Sequence, residues 1–183
     1  MRTFIAVDAM TSEIAKLQND IMSNAKWNPR DIKSVETQNF HFTLIFLGEK
    51  NDSDVDRIKS KLAEIQFEPF MLTYTNVGGF PKPAAARAVW VGVDHDGGQK
   101  LVELANEVIA RMAVLGFQAD KPFSPHMTIF RARGPPIDIS HLAAKYQGGT
   151  FGADLIDVVH LKRSDLAPSG PTYSNIYTVE AKK

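Results

Sequence analysis

The chain contains no cysteine. That excludes a disulfide framework, a thiolate metal site and a thiol nucleophile. It carries no excess charge, because 21 basic residues are balanced by 21 acidic ones. A neutral protein is a poor coat for long nucleic acid, which needs a broad basic surface. Recognition of one phosphate, or of one RNA end, remains open. No apolar run approaches the length of a membrane span, and MRTFIAVDAM lacks the long apolar region of a signal peptide. We therefore expect no membrane association and a cytoplasmic location. No GxGxxG follows a strand-like run and no GxxxxGK[ST] occurs, so the dinucleotide-binding and P-loop readings lack their main signature.

What is present is ordinary in composition and unusual in pattern. Hydrophobic residues make up 44% and charged residues 23% of 183 positions, enough to bury a real core in one compact domain or two small lobes. Within this background a short pattern occurs twice. His41-Phe42-Thr43-Leu44 and His126-Met127-Thr128-Ile129 both read His-x-Thr-aliphatic. Each lies in an apolar, strand-like run. Side chains alternate faces along a strand, so His and Thr at i and i+2 share one face. Two such strands side by side would turn two imidazoles and two hydroxyls toward one cleft. A single copy would mean little. Two copies arise by chance in about one shuffled sequence in a thousand, so the repetition carries the inference.

The chemistry follows from the residue types. An imidazole exchanges its proton near neutral pH, so one ring can accept a proton while another donates one. Placed on opposite sides of a phosphorus, they can serve as base and acid in one in-line displacement. Thr43 and Thr128 are spaced to offer hydroxyls to phosphate oxygens. Arg131, near the end of the second run, could grip an anion through its forked guanidinium. Strict alternation turns it away from His126, so a twist or bend must bring it round. Neither motif has Asp or Glu within two residues of its histidine. A metal-dependent phosphohydrolase would need such ligands. No metal and no cofactor are expected. His95, in DHDGG, reads first as part of a turn, with metal ligation by Asp94-His95-Asp96 as the minor alternative. His141 and His160 read as structural or exposed.

The pattern along the chain predicts strands over 3–7, 41–47, 69–77, 87–93, 126–131, 151–162 and 172–180. Helices are predicted over 11–24, 52–65, 97–115 and 138–146, with Thr11 or Ser12 capping the first and Asp52 or Ser53 the second. Each half offers a His-x-Thr strand, a helix and two further strands. This suggests an α+β fold: two similar lobes related by a pseudo-twofold, two antiparallel sheets lining a central cleft, and helices outside.

Over nearly its whole length the chain resembles the RNA 2′,3′-cyclic phosphodiesterases of the two-histidine (2H) phosphoesterase superfamily. The resemblance runs through MRTFIAVDA, NFHFTLIFLGE, GGFPKP with AVWVGV, LGFQADKPFSPHMTIFRAR and LKRSDLAPSGPTY. The loop PKPAAARAVW departs from it, with Ala where the family often has a basic residue. The resemblance implies one bilobal domain over 1–183 that hydrolyses RNA 2′,3′-cyclic phosphate ends to 2′-phosphomonoesters without a metal. It implies His41 as proton donor to the departing 3′-oxygen and His126 as proton acceptor from water. Thr43 and Thr128 would orient the phosphate, and Arg131 would stabilise its charge. Some relatives also join RNA through 2′,5′ linkages. The expected partners are RNA ends or nucleotides with a cyclic phosphate, and the expected state is a monomer. The alternative is a non-catalytic RNA-end or nucleotide-binding module.

Overall fold

A computed structural model describes residues 1–168 and 170–182. Among the described residues nine strands form two antiparallel sheets. Strands β1 (Arg2–Asp8), β3 (His41–Glu49), β8 (Val158–Ala167) and β9 (Gly170–Glu180) form the first sheet, in the order β3-β1-β8-β9. The second sheet has the order β2-β6-β5-β4-β7. It is built from β2 (Ile32–Ser34), β4 (Phe70–Phe80), β5 (Ala88–Val93), β6 (Met127–Ala132) and β7 (Thr150–Ile156). Each motif therefore lies on a different sheet, as the twofold reading requires.

The lobes are not consecutive halves of the chain, however. Strands β4 and β5 follow the first motif yet belong to the sheet of the second, where β5 pairs with β6 and β4 with β5. Strand β8 comes late in the chain yet joins β1 beside the first motif. The predicted strand over 151–162 is in fact two, β7 and β8, which leave Asp157 between them and enter different sheets.

Among the described residues four α-helices cover the sheets: α1 (Glu13–Asn24), α2 (Asp52–Leu62), α3 (His95–Ala113) and α4 (Ser140–Lys145). Ile14, Leu17 and Ile21 of α1 recur at helical spacing and are buried. They join Ile5, Val7, Phe42, Val89, Val91 and Met127 from the sheets in one continuous core. Each sheet thus has one face in the core and one turned to the cleft. The cap of α2 differs from expectation: Asn51, not Asp52 or Ser53, accepts from the Asp54 amide at 2.8 Å. Ser12 takes the expected N-cap position of α1 without a side-chain capping bond, and the Thr11 hydroxyl accepts from the Glu13 amide at 3.4 Å. Asp94 caps α3 by accepting from the Gly97 amide at 2.9 Å, and it also accepts from the Thr73 amide at 2.7 Å. Those bonds explain the DHDGG sequence as a helix start. A Cβ on Gly97 would lie 2.6 Å from the Met71 carbonyl, so the close approach of α3 to β4 requires glycine. Among the described residues no helix is long and apolar enough to cross a membrane.

Candidate active site

The cleft between the sheets holds a cavity of about 510 Å³. His41, Thr43, His126, Thr128 and Arg131 all line it. The five residues singled out in the sequence are thus brought together.

The imidazoles are held in matching ways. His41 Nδ1 lies 2.7 Å from the Asn39 carbonyl oxygen, and His126 Nδ1 lies 2.7 Å from the Ser124 carbonyl oxygen. A carbonyl can only accept, so Nδ1 carries the hydrogen in both rings. Nε2 is then the atom that gains or loses a proton on each. His41 Nε2 lies 3.0 Å from Thr43 Oγ1. In the neutral ring it accepts from that hydroxyl, and in the charged ring it donates to it. Aromatic rings wall both histidines. His41 contacts Phe4 and Tyr173 at centroid distances of 5.1 and 5.2 Å, and His126 contacts Phe80 at 4.7 Å and Trp90 at 6.2 Å. Trp90 lies so close over Gly78 that a Cβ there would be 2.2 Å from its ring. That glycine is needed for close approach. Burial lowers both imidazoles below their usual value, and the carbonyl bonds work the other way.

Arg131 reaches the cleft by a β-bulge. On β6, Thr128 pairs with Trp90 while Phe130 pairs with Val89, which leaves Ile129 as an extra residue. The extra residue reverses the alternation, so Arg131 shares a face with Thr128 rather than opposing it. The bulge is anchored from behind. The buried Gln18 side chain donates to the Ile129 carbonyl at 2.8 Å, and the Val35 amide donates to it at 2.9 Å. The first motif repeats the device. Ile5 pairs with Ile45 and Ala6 with Thr43, which leaves Leu44 extra. The residue turned into the cleft there is Phe46, 66% exposed and part of the cavity lining.

Phe46 escaped the sequence reading, as did Lys33 and Lys121, which also line the cavity. A signal for Phe46 was present. Aligning HFTLIF with HMTIFR sets Phe46 against Arg131, and each motif breaks alternation with an apolar pair after its Thr. His160 is not an isolated strand residue. It lies 3.6 Å from Asp8 and 2.8 Å from the Thr178 hydroxyl. Among the described residues, no three His, Cys, Asp or Glu side chains gather in a metal-holding arrangement.

The chain is similar to known proteins over nearly its whole length. Residues 5–90 match the LigT like Phosphoesterase family. An RNA 2′,3′-cyclic phosphodiesterase of Archaeoglobus fulgidus is 36% identical over 98% of this chain and 100% of its own. One of Aeropyrum pernix is 33% identical over 94% and 97%. The fold recurs in a crystal structure from Thermus thermophilus, with a TM-score of 0.76 at 24% identity over 98% of this chain and 97% of that one. It recurs in apo LigT of Escherichia coli, with a TM-score of 0.75 at 23% identity over 100% and 98%. The near full-length identity to the two archaeal enzymes, the matched residues 5–90 and the shared two-sheet fold lead to one assignment: the chain belongs to the family of LigT-like phosphoesterases.

Proposed function

We propose that the chain hydrolyses RNA 2′,3′-cyclic phosphate ends to 2′-phosphomonoesters by two-histidine acid–base catalysis, with no metal in the chemical step. His126 Nε2 takes a proton from water. The water oxygen bonds to phosphorus as the bond to the ribose 3′-oxygen breaks. His41 Nε2 gives its proton to that oxygen, leaving a 3′-hydroxyl and a 2′-phosphate. Thr43 and Thr128 orient the non-bridging oxygens, and Arg131 offsets the charge gathering on them. A ribose 5′-hydroxyl in place of water gives a 2′,5′ linkage, so the same site would support reversible RNA ligation. The reading treats residues 1–183 as one bilobal domain, acting as a cytoplasmic monomer on RNA ends or nucleotides. Both histidines come from the same chain.

The observation that carries this reading is the matched fixation of the two rings: each Nδ1 is tied to the carbonyl two residues before it, and each histidine lines the same cavity. The relatives named RNA 2′,3′-cyclic phosphodiesterase supply the substrate class. The test is incubation with RNA carrying a 2′,3′-cyclic phosphate end, followed by location of the product phosphate. Unchanged cyclic ends, with the RNA retained by the protein, would favour the non-catalytic binding module.

Two expected outcomes refine the proposal. Hydrolysis in excess EDTA proceeds at the untreated rate. A strong loss restored by Mg²⁺, Mn²⁺ or Zn²⁺ would replace the two-histidine mechanism with a metal-assisted one. Arg131→Lys loses activity by about tenfold or more, because a point charge does not replace a planar fork. The loss should appear in kcat/KM, measured on a dinucleotide cyclic phosphate. Full activity in Arg131→Ala would remove the residue from the site.

A further inference from the structure

The cleft face of the first sheet carries a charged cluster beside His41, built on the buried Lys162, for which the mechanism above has no use. Asp8 is the direct cross-strand partner of His41 in the β1–β3 ladder. Directly opposed residues share a face, with their Cβ atoms about 5 Å apart. Lys162 faces the same way, since it opposes Phe4, whose ring contacts His41. Lys162 is only 6% exposed. Its ammonium lies 2.8 and 2.9 Å from the two Asp8 carboxylate oxygens and 2.7 Å from Asn175 Oδ1. A lysine this buried is costly unless paired, so the Asp8 carboxylate is held in one place.

Among the described residues the second sheet has no counterpart. On β5, Trp90 pairs with Thr128 and Val91 with Met127. One step further, at the place that corresponds to Asp8, stands Gly92. The charged groups acting on His126 are Lys121 and Arg131, both cations. Those acting on His41 are Asp8, Lys162 and Arg131. The two histidines thus share burial, a carbonyl bond and the same arginine. They differ in depth of burial, in which lysine acts on them and in the Thr43 contact of His41, and Asp8 is the one charged group acting on either ring that favours its imidazolium.

We propose that Asp8, fixed by Lys162 and Asn175, is the positioning residue that makes His41 rather than His126 the protonated member of the pair. This rests on the two-histidine reading above. Asp8 makes no hydrogen bond to the ring, whose two nitrogens are engaged by Asn39 and Thr43. It acts through space, favouring the imidazolium, while Lys162 and Arg131 oppose it. His160 lies 3.6 Å from Asp8, but burial holds it below the usual imidazole value, so Lys162 is the lasting counter-ion. Tyr173 packs edge-on against His41 and is itself held neutral by burial. The pair-breaking asymmetry is therefore built into β1 and β8, outside both motifs.

The test uses the full chain and reads the pH profile of kcat/KM beside an NMR titration of the His41 ring. Asp8→Asn leaves Lys162 facing the ring, and the basic limb of the profile moves to lower pH by at least about half a unit. Lys162→Met leaves Asp8 unopposed and moves the same limb to higher pH. Asp8 is partly exposed, so it stays solvated in that variant. Should Asp8→Asn fail to fold around an unpaired lysine, the comparison is Lys162→Met against Asp8→Asn/Lys162→Met. Here the His41 titration is higher where Asp8 remains. Equal titrations in that pair, or movement of the acidic limb instead, would overturn the assignment. His41→Ala is run beside them. If it stays active, the two-histidine reading falls. If it is inactive while the basic limb stays put in the Asp8 variants, only the role of Asp8 falls.

Discussion

Alanine at His41 or at His126 lowers the rate of cyclic-phosphate hydrolysis by at least ~100-fold, the usual scale for loss of a general acid or base. Both losses appear in kcat, because the proton transfers occur only at the transition state. The variants should stay folded. Both side chains face the cleft rather than the core, and neither belongs to the buried apolar cluster. The double variant costs little more than the worse single one if the two groups act in one concerted displacement, as proposed. Multiplicative losses would mean that the rings contribute independently, through binding rather than shared proton transfer. Near-wild-type activity in either folded single variant would remove that histidine from the chemistry. Circular dichroism and a thermal melt on the same samples separate folding from function.

How much of this was legible before the structure depended on the range of the signal. The two His-x-Thr pairs were readable because strand alternation is local: i and i+2 share a face whatever the strand pairs with. The helices were readable for the same reason, from Ile14, Leu17 and Ile21 on α1 or Val55, Ile58 and Leu62 on α2. Their caps were less so, because Asn51 and Asp52 are equally good capping residues by type. Arg131 lay at the limit. Its parity was wrong for the cleft, and only the bulge at Ile129 corrects it. That bulge is held by the distant Gln18 side chain and the Val35 amide, which periodicity within one strand does not register.

The sheet order was beyond local reading altogether. Strands β4 and β5 contribute to the lobe of His126 and β8 to that of His41, pairings set by long-range burial. For the same reason Asp8 and Lys162, 154 positions apart, gave no sign of each other. The split at Asp157 gave no local sign either, because Ile156-Asp157-Val158 reads as ordinary alternation along one strand with one face in the core. The cluster that distinguishes the two histidines is thus a product of topology, while the histidines themselves are a product of pattern.

The profile of rate against pH and the position of the product phosphate test the same geometry. In the proposed mechanism His126 would work as a base only when neutral, so kcat/KM should rise as pH climbs through its titration. His41 would work as an acid only when charged, so kcat/KM should fall as pH climbs through its own. The result is a bell whose two macroscopic pKa values belong to the coupled pair. In the free protein burial lowers both rings. The kcat/KM bell is therefore centred below the ordinary imidazole value of about 6.5. A bound cyclic phosphate is an anion between the rings and favours the charged form of each. The bell for kcat should then sit at higher pH than that for kcat/KM. A kcat/KM maximum well above neutrality would contradict the burial argument. The same fixed rings set the regiochemistry. An acid held on one side of the phosphorus serves one leaving oxygen, and on the proposed assignment that is the 3′-oxygen beside His41. The product should be almost wholly the 2′-phosphate, and its ends should survive a phosphatase specific for 3′-phosphates. Comparable amounts of both isomers would mean that the cleft does not fix the ribose. A dominant 3′-phosphate would exchange the roles of His41 and His126, and Asp8 would then lie beside the base.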